Sequence, residues 1–366
     1  MEAVGYKGGE GIVKMQKFFE IIMPEGTFDI VFDIVIIIIK IAVIVGIAML
    51  HVMYATWGER KAIGRMQIRM GPMEVGWHGL LQPIADGVKL FFKEDIIPAK
   101  ADKPVFYLAP VIIMMSALVS LSVIPFFDSF VIADINIGLL FLFAMSSLGA
   151  YGIVLAGWSS NSKYPFLGGV RASAQVISYE VALGLSLVGV MIMAGSLNLK
   201  EIVLAQAAYP TGMYVVPQFL GFFVFVIAAL AETNRTPFDM PEAENELVAG
   251  YFTEYSGIRF ALFFLGEYIA MIVMACIAVI CFFGGWTLPP FLYKIPVLST
   301  LLSSLPGVAM VAVFWVKMVA CIFFYYWIRA TVPRYRYDQL MALGWKVLIP
   351  LALLNIVITG VIKILA

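Results

Sequence analysis

Hydrophobic positions along this chain come in long unbroken runs, with few of the alternating or 3.6-residue stripes of a water-soluble fold. Runs of about 18 or more apolar residues recur from near Ile30 to the C-terminal end. That length carries a helix across a hydrocarbon core of about 30 Å. Eight helices are predicted, at about 30–56, 105–126, 136–157, 172–194, 216–231, 257–283, 307–329 and 344–364. The fifth is the shortest. Only helices and closed barrels satisfy the backbone inside lipid, and these runs are far too long for barrel strands. The fold class is therefore all-α, a polytopic membrane protein with a single transmembrane helical domain over residues 30–366. Its cytoplasmic loops are expected at 58–104, 158–171, 232–256 and 330–343. The leader, residues 1–29, contains "GIVKMQKFFEIIM", which reads equally as a short interfacial helix or as a poorly ordered segment. No small-residue cleavage site follows the first run, so a removable signal peptide is not expected.

One segment breaks the pattern. In "GLLQPIADGVKLFFKED", Leu81, Ile84, Val88 and Phe91 share one helical face while Gln82, Asp86, Lys89 and Lys93 share another. This amphipathic helix in the first cytoplasmic loop is too short and too polar to span, so it is predicted to lie along the interface. Pro83 falls in its first turn, where a missing N–H is tolerated. The periodicity admits two roles: a rest on the membrane, or the wall of a lateral opening for a lipid-soluble molecule. Just before it, "GERKAIGRMQIRMGP" sets Lys61, Arg65 and Arg69 four residues apart as one cationic strip. Those bases alone fit plain anchoring to anionic headgroups. Glu59 beside Arg60 does not, because a carboxylate gains nothing from such anchoring.

Composition agrees with the runs: 62% of residues are hydrophobic and 13% charged, against about 25% charged in soluble domains. Fourteen Lys and Arg follow predicted spans one, three, five and seven, and six lie on the other side. Both termini should then face away from the cytoplasm, and a bacterial plasma membrane with periplasmic termini is the simplest assignment. Cys276, Cys281 and Cys321 all sit in apolar runs, and the histidines are His51 and His78 alone. No spacing for zinc or an iron–sulfur cluster exists, nor a glycine-rich nucleotide fingerprint.

Charges at bilayer depth cost at least about 2.5–3.5 kcal/mol and call for a reason. Lys40, Glu180, Glu232, Arg259, Glu267 and Lys317 qualify. A buried ion pair or a reach to the interface suits Lys40 and Arg259 best, whereas Glu180 and Glu267 lie deep in apolar sequence. The stretch "AETNRTPFDMPEAENELVAGYFTEY" adds Glu232, Asp239, Glu242, Glu244, Glu246 and Glu254, with Arg235 the one base among them. The offsets do not fall on a single helical stripe; they read as a staircase of carboxylates from the inner surface toward mid-membrane. Crowded, partly desolvated carboxylates titrate together at raised pKa values and can hold and pass protons. A solvated acidic loop is the plain alternative. A proton route without a redox centre leaves two readings: a proton-linked transporter, or a membrane subunit of a larger redox pump.

Several long motifs, in order, narrow this. "GLLQPIADGVKLFFKE", "PFDMPEAENELVAG", "GERKAIGRMQIRMGP", "GWSSNSKYPFLGGVRASAQVISYE", "EYSGIRFALFFLGEY" and "PRYRYDQLM" resemble the H subunit of NADH:quinone oxidoreductase, the subunit-1 family of respiratory complex I. The resemblance runs from about Trp57 to the C-terminus. It implies a membrane subunit that completes a ubiquinone or menaquinone cavity with hydrophilic partner subunits, beside small membrane subunits and antiporter-like subunits. FMN and iron–sulfur clusters would belong to partners, membrane lipid surrounds the chain, and no nucleic acid is expected. Spans two to six resemble the five-helix repeat of the antiporter-like subunits. Carried over by motif, Glu59, Arg60, Arg69, Asp86, Phe264, Tyr268 and Arg329 would line the quinone chamber or its mouth. Glu180, Glu232, Asp239, Glu242, Glu244, Glu246, Glu254 and Glu267 would form the acidic relay. Homologous subunits of ferredoxin-, F420- or hydrogenase-linked complexes, or of the plastid-type complex, share these motifs. A stand-alone proton-coupled transporter is the reading from another class, though no whole-chain inverted halves are evident.

Overall fold

The computed structural model describes residues 27–127, 130–240, 248–290 and 306–365, which are helical or irregular. Glu242, Glu244 and Glu246, and most of the leader, lie outside the described residues. The chain divides into two compact units, Met1–Ile47 and Ala48–Ala366, and the second holds every described residue of the expected chamber and relay.

The main helices are α1 Thr27–Met66, α2 Gln82–Phe92, α3 Lys103–Ser120, α4 Gly138–Ser159, α5 Lys163–Ala194 and α6 Leu199–Ala207, then α7 Phe219–Glu232, α8 Gly257–Cys281, α9 Pro306–Thr331, α10 Tyr337–Leu343 and α11 Ile349–Leu365. A π turn, Gly344–Leu348, joins α10 to α11. Among the described residues, seven stretches are long and apolar enough to cross a membrane. The predicted fifth span, α7, has 14 residues, or about 21 Å at 1.5 Å per residue. That is short of a hydrocarbon core of about 30 Å.

Three boundaries differ from the expectation because polar residues extend the apolar runs without breaking the helix; one is the eighth span, which starts at Tyr337 inside the expected 330–343 loop. The first helix continues to Met66, so Glu59, Arg60, Lys61 and Arg65 sit on it and not in a loop. Ile68 then takes a left-handed backbone (φ 57) and ends the cationic strip before Arg69. The fourth begins at Lys163, which puts Arg171, expected in a loop, on α5 with Gln175.

Packing centres on α8, the most enclosed span. Phe106 and Ile113 of α3, Ile153 of α4, Val176 of α5, Tyr251, Phe252 and Tyr255, and Phe263 of α8 form one buried cluster. Small residues let these helices approach, as is usual where lipid gives no hydrophobic drive for helix association. A Cβ on Gly168 of α5 would fall 2.6 Å from the Gly250 Cα. The segment leading into α8 therefore rests directly on the α5 backbone.

Candidate functional site

Glu59 lies near the C-terminal end of α1 and is only 4% exposed. Groups from three other elements converge on its carboxylate. The Tyr268 hydroxyl of α8 donates to Oε2 at 2.6 Å, Arg329 of α9 donates to Oε1, and Arg235 approaches both oxygens at 3.4 and 3.5 Å. The Arg235 guanidinium also lies over the Tyr268 ring, 4.1 Å from its centroid. A buried carboxylate with two cations and a hydroxyl satisfies the rule that buried charge is paired and hydrogen-bonded.

Arg235 gets there through the end of α7. The Arg235 N–H bonds back to the Leu230 carbonyl at 3.2 Å, and Asn234 takes φ 48, a left-handed conformation that Asn tolerates better than most residues. From α5, Gln175 donates to the carbonyls of Ala231 and Phe238 at 2.8 and 2.7 Å, clamping the loop from both sides. Burial alone would lower the Arg235 pKa, but Tyr268, Glu59 and Glu267 around it raise it above its ordinary value, so the guanidinium stays charged.

Beside this cluster opens a cleft of about 920 Å³, lined by Glu59, Arg60, Arg69, Phe264, Tyr268 and Arg329 among others. Six of the seven residues expected at a chamber or its mouth thus share one space. The seventh, Asp86 of α2, does not line it but ion-pairs with Arg60 at 2.7 Å and accepts from Gln82, itself a lining residue, at 3.0 Å. The remaining wall is the irregular return after α1, where Gly71 packs so close that a Cβ would sit 3.0 Å from the Arg60 carbonyl oxygen.

A second, smaller cavity of about 80 Å³ lies across the wall. Glu232, Asn234, Glu267, Tyr251 and Ser146 line it with apolar residues of α3, α4 and α8. Tyr251 donates to Glu267 at 3.2 Å. Ser146 donates to Glu180 at 3.3 Å, and Ser147 donates to the same oxygen. Glu232 Oε2 and Asn234 Oδ1 are buried with no hydrogen-bond partner.

The wall between the two spaces is made by neighbours in sequence. Asn234 faces the small cavity while Arg235 reaches Glu59. Glu267 faces the small cavity while Tyr268 lines the cleft. Successive residues on a helix point about 100° apart, so one turn of α8 serves both sides.

The other expected relay residues stand elsewhere. Asp239 is buried and ion-pairs with Arg334 at 3.0 Å. Glu254 is half-buried and lines neither space. Glu232 to Met240 are almost wholly buried, while most of Asp239 to Glu246, where a solvated acidic loop is the plain alternative, lies outside the described residues. Lys317 donates to the carbonyls of Phe283, Gly285 and Thr287 at 2.7, 2.9 and 2.5 Å, closing the chain that leaves α8. Lys40 lies on α1 in the first unit, half-exposed. Among the described residues no three His, Cys, Asp or Glu groups gather as a metal site.

Sequence reasoning misses Arg235 as a site residue, and with it Gln82, Ser147 and Tyr251. Arg235 carries a signal, being the one base amid six carboxylates. The others carry none that spacing reveals.

Comparison with known proteins converges with this geometry. The family model for NADH dehydrogenase matches residues 39–360. The H subunit of NADH-quinone oxidoreductase from Rhodospirillum rubrum is 54% identical over 308 residues, 84% of this chain and 88% of the relative. The H subunit of Paramagnetospirillum magneticum is 51% identical over 330 residues, 90% of this chain and 93% of the relative. The H subunit numbered 2 in Geobacter metallireducens is 49% identical over 347 residues, 89% of this chain and 94% of the relative. With the family model spanning nearly the whole described chain and relatives near half identical along their length, the chain belongs to the H-subunit family of NADH-quinone oxidoreductase.

Proposed function

We propose that the chain acts as the membrane subunit of a proton-translocating NADH:quinone oxidoreductase, with the large cleft receiving the quinone headgroup. One observation carries this reading: residues from α1, α8 and α9 and the loop behind α1 meet around a buried, doubly paired carboxylate in a cleft of about 920 Å³. A quinone headgroup is a flat ring with two carbonyl acceptors, and this cleft offers arginine donors beside the rings of Phe264 and Tyr268. Reduction to the quinol adds two electrons and two protons, and negative charge arises on the ring before the protons arrive. In a low-dielectric wall such a charge acts strongly on Arg235 and Glu59. The adjoining residues then face Glu232 and Glu267 across that wall.

The small cavity supports the proton-relay half of the reading. At about 80 Å³ it has room for water, and its orphaned acceptors Glu232 Oε2 and Asn234 Oδ1 supply the polar partners a buried water needs. Water held there would join Glu232 and Glu267, which both line the cavity, and Ser146 joins that space to Glu180. Asp239, Glu242, Glu244, Glu246 and Glu254 would extend the route toward the inner surface. Hydrophilic partner subunits would close the cleft and hold the FMN and iron–sulfur clusters, with small and antiporter-like membrane subunits on the relay side. The relatives are each named as a subunit, which favours such an assembly over a stand-alone transporter. The excess of Lys and Arg after alternate spans favours termini on the periplasmic side, with a bacterial inner membrane as the simplest location.

The test is photo-crosslinking with a quinone analogue on the native membrane complex, followed by peptide mapping. Label on residues 58–95 or near Tyr268 supports the cleft as the quinone site. Label confined to other chains removes it.

A further inference from the structure

Helix α2 has no buried residue. Its apolar side is open, with Leu81, Ile84 and Val88 about half exposed and Phe91 73% exposed. Burial within this chain therefore does not decide where α2 stands, although its first two turns carry Gln82 and Asp86 beside the cleft. Polar attachments at its middle and just beyond its C-terminal end do. In its second turn Asp86 holds Arg60 of α1. At the C-terminal end the segment that leaves α2 is tied to the start of α8, the helix that carries Phe264, Glu267 and Tyr268.

Three contacts make that second tie. The Ser256 hydroxyl accepts from the Ile96 N–H at 3.1 Å and donates to the Glu94 carbonyl at 3.0 Å, so one side chain bonds the segment twice. Gly257, at φ 56, brings its backbone so close that a Cβ would lie 3.1 Å from the Lys93 carbonyl oxygen. Arg259 Nη2 pairs with Asp95 Oδ2 at 2.8 Å. Arg259 is 6% exposed, with its guanidinium 4.0 Å from the Tyr107 ring centroid on α3. That stacking, rather than solvent, sets its orientation. A buried guanidinium with one carboxylate partner, and with Nη1 unbonded, is costly to strand if the carboxylate leaves. The tie is therefore stiff.

We propose that Arg259, with Ser256, is a positioning residue: the clasp it forms with residues 94–96 holds α2 in register with α8 and so sets the width of the cleft mouth. The proposal deepens the quinone reading of the cleft and rests on it for the kinetic consequence, but the clasp itself can be measured without it. Neither residue touches the cleft, so their effect passes through α2.

The experiment uses the intact complex in native membranes carrying R259Q, R259K or S256A. Hydrogen exchange by mass spectrometry reads α2 directly, and steady-state assays read the Michaelis constant and turnover for a short-chain quinone. The expected result for R259Q is exchange over residues 82–92 faster by roughly tenfold, the equivalent of a local opening made about 1.4 kcal/mol easier. The KM should rise several-fold with kcat within a factor of two, and NADH oxidation by a soluble artificial acceptor should not change. R259K, which keeps the charge but not the planar stacking, should recover part of both effects. S256A leaves the ion pair in place and serves if R259Q fails to assemble. Unchanged exchange in α2 for both R259Q and S256A overturns the clasp. Faster exchange with an unchanged KM overturns α2 as the setter of the quinone mouth and counts against the cleft reading, while leaving the tie itself measured.

Discussion

At the scale of single residues, the chemistry is concentrated in pairs that sit side by side in the chain and face different spaces. Arg235 and Tyr268 attend to Glu59, while Asn234 and Glu267 look into the smaller cavity. This arrangement explains why the carboxylates fall on no single helical stripe. The proposed route would be assembled from several elements, each contributing a residue that faces the small cavity or its neighbours. Glu267 is the member whose loss reads most cleanly, since it lines the small cavity without bonding Glu59. In E267Q the amide keeps the size and the Tyr251 hydrogen bond but cannot carry a proton. Proton pumping per NADH oxidised should fall by at least about tenfold, below the roughly 10²–10⁴-fold effect of a positioned acid or base because water can carry part of the flux, while quinone reductase activity stays within a few-fold. Acidification of inverted vesicles measured against NADH oxidation decides it. An unchanged ratio takes Glu267 out of the route.

At the scale of elements, the site depends on helices approaching closely enough for short side chains to reach across. Gly168 on α5 and Gly250 ahead of α8 meet backbone to backbone, with 2.6 Å between a built Cβ and the Gly250 Cα. The backbone has no side chain to swing aside, so G168V should force α5 from the 248–255 segment. The cost should be about 1–3 kcal/mol or more, read as a lowered melting temperature of the purified complex and less assembled complex per membrane. A melting temperature equal to that of the unaltered complex would show that the segment moves away freely. The same element scale separates what the chain reveals from what it hides. Long apolar runs mark every spanning helix, and the apolar stripe of Leu81, Ile84, Val88 and Phe91 marks α2. The end of α1 lies ten residues beyond its expected place, because charged residues from Glu59 to Arg65 read as loop in hydropathy while the backbone stays helical to Met66.

At the scale of the molecule, the distribution of Lys and Arg gives a prediction independent of any site. Alkaline phosphatase fused after Ala366 should be active and a fluorescent protein fused there dark, as for a periplasmic C-terminus. The reverse pattern would invert the orientation and place the described acidic residues on the other side. The sequence by itself determined that the chain is a helical membrane protein, which family its motifs match, and which residue types are too costly in lipid to lack a purpose. The first and last follow from the one-dimensional length of apolar runs and from the penalty on buried charge, and the family from the resemblance of its motifs; none needs knowledge of what packs against what. Only the tertiary structure decided which charges meet. It put Arg235 on Glu59, 176 positions apart in the chain, gave Arg259 to Asp95 and Lys317 to three carbonyls, and among the described relay residues set Glu232 and Glu267 on one cavity, Asp239 with Arg334, and Glu254 apart from both spaces. Partner choice among distant charges depends on helix crossings and on the turn taken at each helix end. Spacing along the chain does not encode either.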